Sequence, residues 1–258
     1  MDRDHRMTEQ AAIVPRLCFV INLAHAENAG PNLARLKHLV HLFRGHRLPA
    51  TWAVADAAQT PLLRDFAATA VRHQIGLSLD ESWAAAHHGA ARFGDELSHR
   101  LARLSNASGS TTLLVGDRGQ LGSRMSVLAE LGIRAIFTSF SQDATPLKPR
   151  PLPCGMWLLA PRVRLPKPRL TRWLPTRATS VKELLASACA GNVLVEVAAD
   201  EWERIGVRGM QALEKLLRDV SWSASRGQLQ VVTVSEIVAD LAGQYAVRPQ
   251  RSILRLAA

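Results

Sequence analysis

The chain has 258 residues, of which 47% are hydrophobic and 21% are charged, and its net charge is +10. This composition excludes a disordered chain, the length suits one large domain, and no apolar run reaches the roughly 18 residues of a membrane span. The first ten residues lack a signal-peptide core, and three scattered cysteines exclude a disulfide framework, so we expect a cytoplasmic protein.

Short apolar runs alternate with helical patterns along the chain. The runs at 16–23, 50–54, 73–79, 111–115, 133–140, 192–198 and 229–234 predict strands. The patterns at 31–44, 62–70, 93–105, 121–131, 180–190 and 209–222, and the segment after Ser235, predict helices. This alternation is typical of parallel βα units joined by right-handed crossovers. It predicts an α/β fold with about seven parallel strands, either a βα barrel or a doubly wound sheet.

The positive charge is concentrated in one segment. Residues 144–182 hold nine of the 32 basic residues and no acid, so the rest of the chain carries a net charge of +1. The same segment holds eight of the thirteen prolines, which disfavour a helix or an interior strand. We therefore predict a Pro-rich basic loop at about 141–180, within a domain at 16–243 that has a polar N-terminal tail at 1–15 and a basic C-terminal tail at 244–258.

Two hypotheses for the basic loop stay open. It is either a solvated connector or a binding surface for an anionic polymer, in which Trp157 and Trp173 stack on sugars or bases or else anchor the loop. No specific nucleic-acid motif is present in the sequence. The basic side chains that we assign to this surface are Arg162, Arg164, Lys167, Arg169 and Arg172.

Polar residues follow the predicted strands at the end where a βα barrel carries its site. This rim is polar and acidic, and it could hold a sugar or a cation. Its candidate groove residues are His25, Glu27, Asp80, Glu81, Trp83, Asp117, Arg118 and Glu196, together with Asn22, Ser78 and Ser82. Trp83 is a candidate stacking platform for a sugar ring.

Five features in order resemble the polysaccharide deacetylase family, the NodB-homology type of carbohydrate esterase. The first strand and its helix are followed by HRLPATWAV at 46–54 and RHQIGLSLDESW at 72–83, and later by LAELGIRAIFTS at 128–139 and LQVVTVSEIVADL at 229–241. The resemblance covers about residues 16–140 and 190–242. It implies a distorted (β/α) barrel and metal-assisted hydrolysis of carbohydrate N-acetyl groups, in which an Asp and two His residues bind the metal.

The metal positions that the resemblance implies are occupied here by other residues. They fall on Asn22, Ser78 and Ser82, and neutral oxygens are poor zinc ligands compared with carboxylate and imidazole. The family's arginine motif falls near Arg118 but is displaced, and Glu196 lies where a late histidine is expected. His73 matches a position that the family uses structurally. The motifs thus predict the fold of the family with a degenerate metal site.

Three functional hypotheses follow from these residues. The first is a catalytically degenerate, deacetylase-like protein of carbohydrate metabolism that needs no cofactor and binds a glycan or a polysaccharide-assembly protein. The second is an active metal-dependent hydrolase with a site rebuilt from His25 and nearby carboxylates, which would hold a divalent metal such as Zn²⁺. The third is an anionic-polymer binder that acts through the basic loop.

Overall fold

The strands and helices form one continuous α/β arrangement. The computed structural model describes residues 14–23, 32–55, 71–79, 81–84, 89–108, 112–116, 121, 124–138, 148–165, 179–188 and 191–247. The strands are β1 (Arg16–Asn22), β2 (Thr51–Val54), β3 (Gln74–Ser78), β4 (Leu113–Val115), β5 (Ala135–Phe137), β6 (Arg150–Pro151), β7 (Trp157–Leu159), β8 (Val163–Leu165), β9 (Asn192–Ala198) and β10 (Gln230–Val231). The helices are α1 (Asn32–Gly45), α2 (Glu81–Ala84), α3 (Ala90–Ser108), α4 (Met125–Glu130), α5 (Val181–Ala186), α6 (Ala199–Ser225) and α7 (Val234–Val247), with a 3-10 turn at Pro153–Gly155.

The strands of the described residues join in a single curled sheet. Its order is β6-β7-β5-β4-β3-β2-β1-β9-β8, with β10 paired to β1. Every pair is parallel except β6 with β7. The sheet is a half-barrel with β8 at one edge and β6 at the other, which confirms the predicted distorted (β/α) barrel. Within the described residues, no helix is long and apolar enough to span a bilayer.

Successive residues of β1 enter two separate hydrophobic clusters, because side chains alternate between the faces of a strand. Leu17, Phe19 and Ile21 pack on the outer face with residues of α1, α3 and α6. Cys18 and Val20 lie on the inner, concave face with Val234 and Ile237 of α7. Apolar residues therefore cover both faces of the sheet, as is usual for parallel strands.

Aromatic rings fix the packing of α1 on the outer face. Phe43 of α1 lies edge-on to Phe19 of β1, with ring centroids 5.4 Å apart, and edge-on to Trp52 of β2 at 5.7 Å. All three rings are fully buried. Burial of rings of this size is a dominant contribution to the stability of a core.

Helix α7 closes the end of the half-barrel where the strands begin. The backbone N–H of Val234 donates to Thr51 Oγ1 (3.1 Å), and that of Ser235 donates to Gln74 Oε1 (3.0 Å). Asp240 forms an ion pair with Arg16 at the start of β1. The N-cap of α7 is Thr233, because Glu236 accepts from both the backbone N–H and the hydroxyl of Thr233. With this end closed, the carboxyl ends of the strands carry the candidate site.

The prediction of one continuous loop at 141–180 was wrong for residues 150–165. Here β7 is an interior strand between β5 and β6, and β8 pairs with β9. The prolines fall at the strand ends and in the turns, while the apolar run at 156–159 is buried. Trp157 is buried and packs edge-on against Tyr245 of α7 at 5.7 Å, so it anchors this segment. Trp173 and the predicted helix at 62–70 lie outside the described residues.

Candidate functional site

Two of the predicted site residues meet at the carboxyl end of the sheet. Asn22 ends β1 and Ser78 ends β3, and the Ser78 hydroxyl donates to Asn22 Oδ1 (3.3 Å). The strand between them places Ala53 in register with both Asn22 and Gly76. Because Ala53 is small, the side chains of Asn22 and Ser78 can reach each other across β2. Ser78 is buried and Asn22 is partly buried, so the pair lies at the floor of the rim.

Glu196 lies one layer deeper, on β9. It is in register with Val20 of β1, which places it on the inner face, two residues below the end of the strand. It is 3% exposed, and it is the one buried carboxylate among the residues whose side chains the structure describes. A buried carboxylate requires hydrogen bonds or a cation for compensation, so Glu196 marks a polar region inside an otherwise apolar barrel.

The side chain of an arginine lies beside Glu196 on the neighbouring strand. Arg164 of β8 is in register with Glu196, and side chains in register in a parallel sheet project to the same face. Arg162 precedes it by two residues and its backbone N–H donates to Leu194 O (2.8 Å). Both arginines are partly buried, whereas the sequence predicted exposed loop cations. The period-two alternation of Arg162, Val163, Arg164 and Leu165 is a strand pattern that the sequence analysis did not use.

Trp83 does not offer the exposed stacking platform that we expected from the sequence. Its side chain is 5% exposed, and its ring stacks on Phe93 of α3 with a centroid distance of 5.8 Å. The Arg100 guanidinium lies 4.9 Å from the centroid of the Trp83 ring. The ring is therefore part of the packing between α2 and α3.

His73 connects the starts of β2 and β3 and is remote from the carboxyl ends of these strands. Its Nδ1 accepts from the backbone N–H of Ala50 (3.3 Å) and from Nε1 of Trp52 (3.4 Å). Burial lowers the pKa of His73 to about 4. The neutral imidazole thus holds the two strands together, in keeping with a structural position.

The remaining candidate residues cannot be placed. His25, Glu27, Asp80, Asp117, Arg118, Lys167, Arg169 and Arg172 lie outside the described residues, as do the side chains of Glu81 and Ser82 at the start of α2. Their roles in the groove, in a rebuilt metal site and in the basic loop stay predictions.

The described donors do not fit the divalent metal that the family resemblance implies. Zinc sites are built from imidazole, thiolate and carboxylate, whereas Asn22 and Ser78 supply an amide and a hydroxyl that are hydrogen-bonded to each other. Within the described part of the chain, no three His, Cys, Asp or Glu side chains cluster as a metal site would require. Asn and Ser instead both donate and accept hydrogen bonds, which suits a neutral polar ligand.

Comparison with solved structures identifies the fold. A protein assigned as a polysaccharide deacetylase from Mycobacterium smegmatis superposes with a TM-score of 0.62 at 14% identity, over 90% of this chain and 91% of that one. A 4-alpha-glucanotransferase from Thermococcus litoralis superposes with a TM-score of 0.59 at 11% identity, over 87% of this chain and 40% of that one. A third structure is a mutant of a CE4 family pseudoenzyme from Bacillus anthracis with restored enzymatic activity. It superposes with a TM-score of 0.51 at 8% identity, over 87% of this chain and 67% of that one.

The comparisons by sequence give no further assignment. No protein-family model matches this chain, and no curated protein matches it by sequence. The likeness to solved structures establishes that the barrel is of the polysaccharide deacetylase type, as the motifs predicted. At these identities the likeness concerns the fold, so the chemistry has to be argued from the residues of this chain.

Proposed function

We propose that this chain is a deacetylase-like protein of carbohydrate metabolism that binds a glycan at the carboxyl end of its barrel and does not carry out metal-dependent deacetylation. The observation that carries the proposal is the hydrogen bond between Ser78 and Asn22, at two positions that the family resemblance gives to metal ligands. A metal hydrolase needs its cation both to acidify water and to polarise the carbonyl, and each effect contributes several kcal/mol. A pair of neutral side chains supplies neither effect.

The same residues are suited to holding a sugar. The Asn22 amide has donors and acceptors for sugar hydroxyls, and the Ser78 hydroxyl has both as well. Glu196, one layer below, adds an acceptor that is kept from bulk water. Buried polar groups of this kind favour a ligand that satisfies their hydrogen bonds over one that cannot.

Metal content and deacetylation test the catalytic part of the proposal. We expect the purified chain to take up no stoichiometric Zn²⁺, Co²⁺ or Mn²⁺ and to release no acetate from N-acetylglucosamine oligomers. The variant that combines Asn22→Asp, Ser78→His and Ser82→His should bind Zn²⁺, because it restores the carboxylate and imidazole ligands at the family's positions. Chelator-sensitive deacetylation by the unaltered chain would instead favour the rebuilt site with His25, Glu27, Asp80, Glu81 and Asp117.

Measurements of glycan binding test the second part of the proposal, that the chain binds a sugar. Titration with chito-oligosaccharides and with acidic oligosaccharides, followed by calorimetry or NMR, should reveal a ligand whose affinity falls about tenfold in Ser78→Ala, the loss expected for a buried hydrogen bond of about 1.4 kcal/mol. Ser225→Ala is the matched control, since the Ser225 hydroxyl donates to the carbonyl of Trp222 in an exposed position at the far end of α6. An equal effect of both variants, or capture of a protein partner with no glycan bound, counts against the proposal.

A further inference from the structure

Large side chains are exposed at the amino end of the half-barrel, where the strands begin and α7 closes the barrel. The described part of the chain exposes four large apolar or aromatic side chains, Val14, Val207, Trp222 and Tyr245, and three of them lie at this end. Val14 precedes β1, and Tyr245 packs edge-on against Trp157, the first residue of β7. Single exposed apolar residues are ordinary, but their concentration at one end indicates a contact surface.

Trp222 is placed at this end by the last turns of α6. The hydroxyl of Ser221, its neighbour in the chain, donates to the carbonyl of His46 just before β2 (3.0 Å). The guanidinium carbon of Arg226 lies 4.3 Å from the centroid of the Trp222 ring. The indole is nevertheless 59% exposed, so packing within the fold does not account for so large a ring.

Exposed arginines precede several strands at the same end. They are Arg47 before β2, Arg72 before β3, Arg134 before β5 and Arg226 before β10. Neighbouring strands lie about 4.8 Å apart, so the arginines between β5 and β1 are spread over roughly 19 Å. We call these four arginines, together with Val14, Trp222 and Tyr245, the amino-end surface.

The charges described at this end are positive on balance. The four arginines and Arg16 of β1 lie here with three acids, which are Glu130, Glu236 and Asp240. Asp240 is already paired with Arg16. One turn before Trp222, Asp219 adjoins Arg218 and adds no net charge.

The sequence on either side of the described domain increases this positive charge. Residues 248–258, which follow the end of α7, hold three arginines and no acid. Residues 1–13, which precede the start of β1, hold two arginines and three acids. The chain thus adds net positive charge where it enters and leaves the amino end, so an anionic partner is favoured here.

We infer that the amino-end surface docks on an anionic lipid bilayer. Trp and Tyr rings favour the headgroup region, because each has an apolar body and a polar tip. Arginines beside a negatively charged leaflet add electrostatic attraction. The phosphates of a nucleic acid would satisfy the arginines, but they offer no apolar layer for Val14. Docking by this end leaves the carboxyl end of the barrel facing away from the lipid, and the inference is independent of the proposed function.

Cosedimentation of the full chain with vesicles tests this inference. The probes are vesicles of phosphatidylcholine alone and of an equimolar mixture of phosphatidylcholine and phosphatidylserine. We expect partitioning at least tenfold stronger onto the mixed vesicles, and weaker as NaCl is raised from 50 to 300 mM. Partitioning should fall at least tenfold when Gln replaces Arg47, Arg72, Arg134 and Arg226. The charge-matched control replaces exposed basic residues in the first halves of α1, α3, α5 and α6, which are Lys37, Arg92, Lys182 and Arg208.

Trp222 gives a second readout, which keeps the inference testable if the arginine variant does not fold. Brominated phosphatidylcholine quenches indoles that enter a bilayer. Mixed vesicles that contain it should therefore quench the unaltered chain more than Trp222→Phe. Trp222→Ala should also weaken partitioning, whereas Val207→Ala, at an exposed apolar position in the first half of α6, should not.

Three outcomes would overturn the inference. Equal losses in the two charge variants would mean that net charge alone governs partitioning. Binding to duplex DNA or to polyglutamate without binding to the mixed vesicles would identify a nucleic acid or an acidic protein as the partner. Absence of binding to either kind of vesicle would exclude a lipid surface.

Discussion

His73 couples the stability of the fold to pH, because burial disfavours its charged form. Its folded-state pKa of about 4 lies below the ordinary value of 6.5, so the unfolded chain binds the proton more readily. The stability that neutral His73 contributes is present above about pH 6.5 and is lost as the pH falls toward 4. Urea midpoints should therefore decrease from pH 7 to pH 4.5, and His73→Gln should flatten that decrease. His41→Gln, on the exposed side of α1, serves as the control. If the urea midpoints of His73→Gln and of the unaltered chain depend on pH with the same slope, the prediction is wrong.

The two described cysteines should differ sharply in reactivity. Cys18 is fully buried in β1, and burial raises the pKa of its thiol far above the ordinary value. Cys154 is exposed in the turn before β7. Because the thiolate is the reactive form, iodoacetamide should alkylate Cys154 in the native protein and Cys18 only after unfolding. Peptide mapping by mass spectrometry identifies each site; native alkylation of Cys18 at the rate of Cys154 would show that the inner face opens.

The packing around position 116 leaves no room for a side chain and requires glycine. A Cβ atom at this position would lie 2.5 Å from Cδ1 of Leu79, closer than non-bonded carbons approach. The Leu79 N–H also donates to Val115 O (2.7 Å), so the two strand ends cannot separate without losing that bond. Gly116→Ala should destabilise the fold by about 1–3 kcal/mol in urea titrations. Gly45→Ala, where a Cβ meets nothing within 4 Å, should cost much less.

At the scale of elements, one buried hydroxyl joins α7 to the starts of β2 and β3. Thr51 Oγ1 accepts from the Val234 N–H and donates to Gln74 Oε1 (3.1 Å), joining β2, β3 and α7. Thr51→Val removes both bonds and leaves the Val234 donor unsatisfied, so we expect a loss of about 1–3 kcal/mol in the free energy of unfolding. Thr112→Val is the control, because the hydroxyl contact of Thr112 with Ser235 is longer (3.4 Å) and exposed. Equal losses would mean that the bonds of Thr51 do not hold α7.

Elements with strong local patterns were predictable from the sequence, and those made by distant contacts were not. The strands at 16–22 and 192–198 are apolar runs buried on both faces, and both predictions are confirmed nearly to the residue. β7 was missed because the flanking prolines argued against a strand, although its hydrogen bonds come from β5 and β6. α6 begins ten residues before the apolar stripe that predicted it at 209–222.

In the candidate site, too, residues with local patterns were predictable, whereas residues brought together by distant contacts were not. Asn22 and Ser78 were found because they end predictable strands that bear family motifs, and their contact then follows from the sheet order. The register of Arg164 with Glu196 joins residues 32 positions apart, which no local pattern encodes. The burial of Trp83 likewise depends on α3, so its exposure was misjudged.

At the scale of the whole molecule, the uneven charge predicts where an anionic polymer would bind. Nine basic residues lie within 144–182, while the rest of the chain carries a net charge of +1. If this segment is a binding surface, its charges should matter more than an equal number elsewhere, because they act together on neighbouring anions.

Heparin chromatography with two charge-matched variants tests this. One variant replaces Lys167, Arg169, Arg172 and Arg177 with Gln, and the other replaces Lys37, Arg44, Lys215 and Arg218, which are exposed on α1 and α6. We expect the first to leave heparin at a distinctly lower salt concentration than the second, with a smaller dependence of affinity on salt. Equal elution of the two would mean that net charge alone governs retention. The part of the segment outside β6, β7 and β8 would then be a solvated connector.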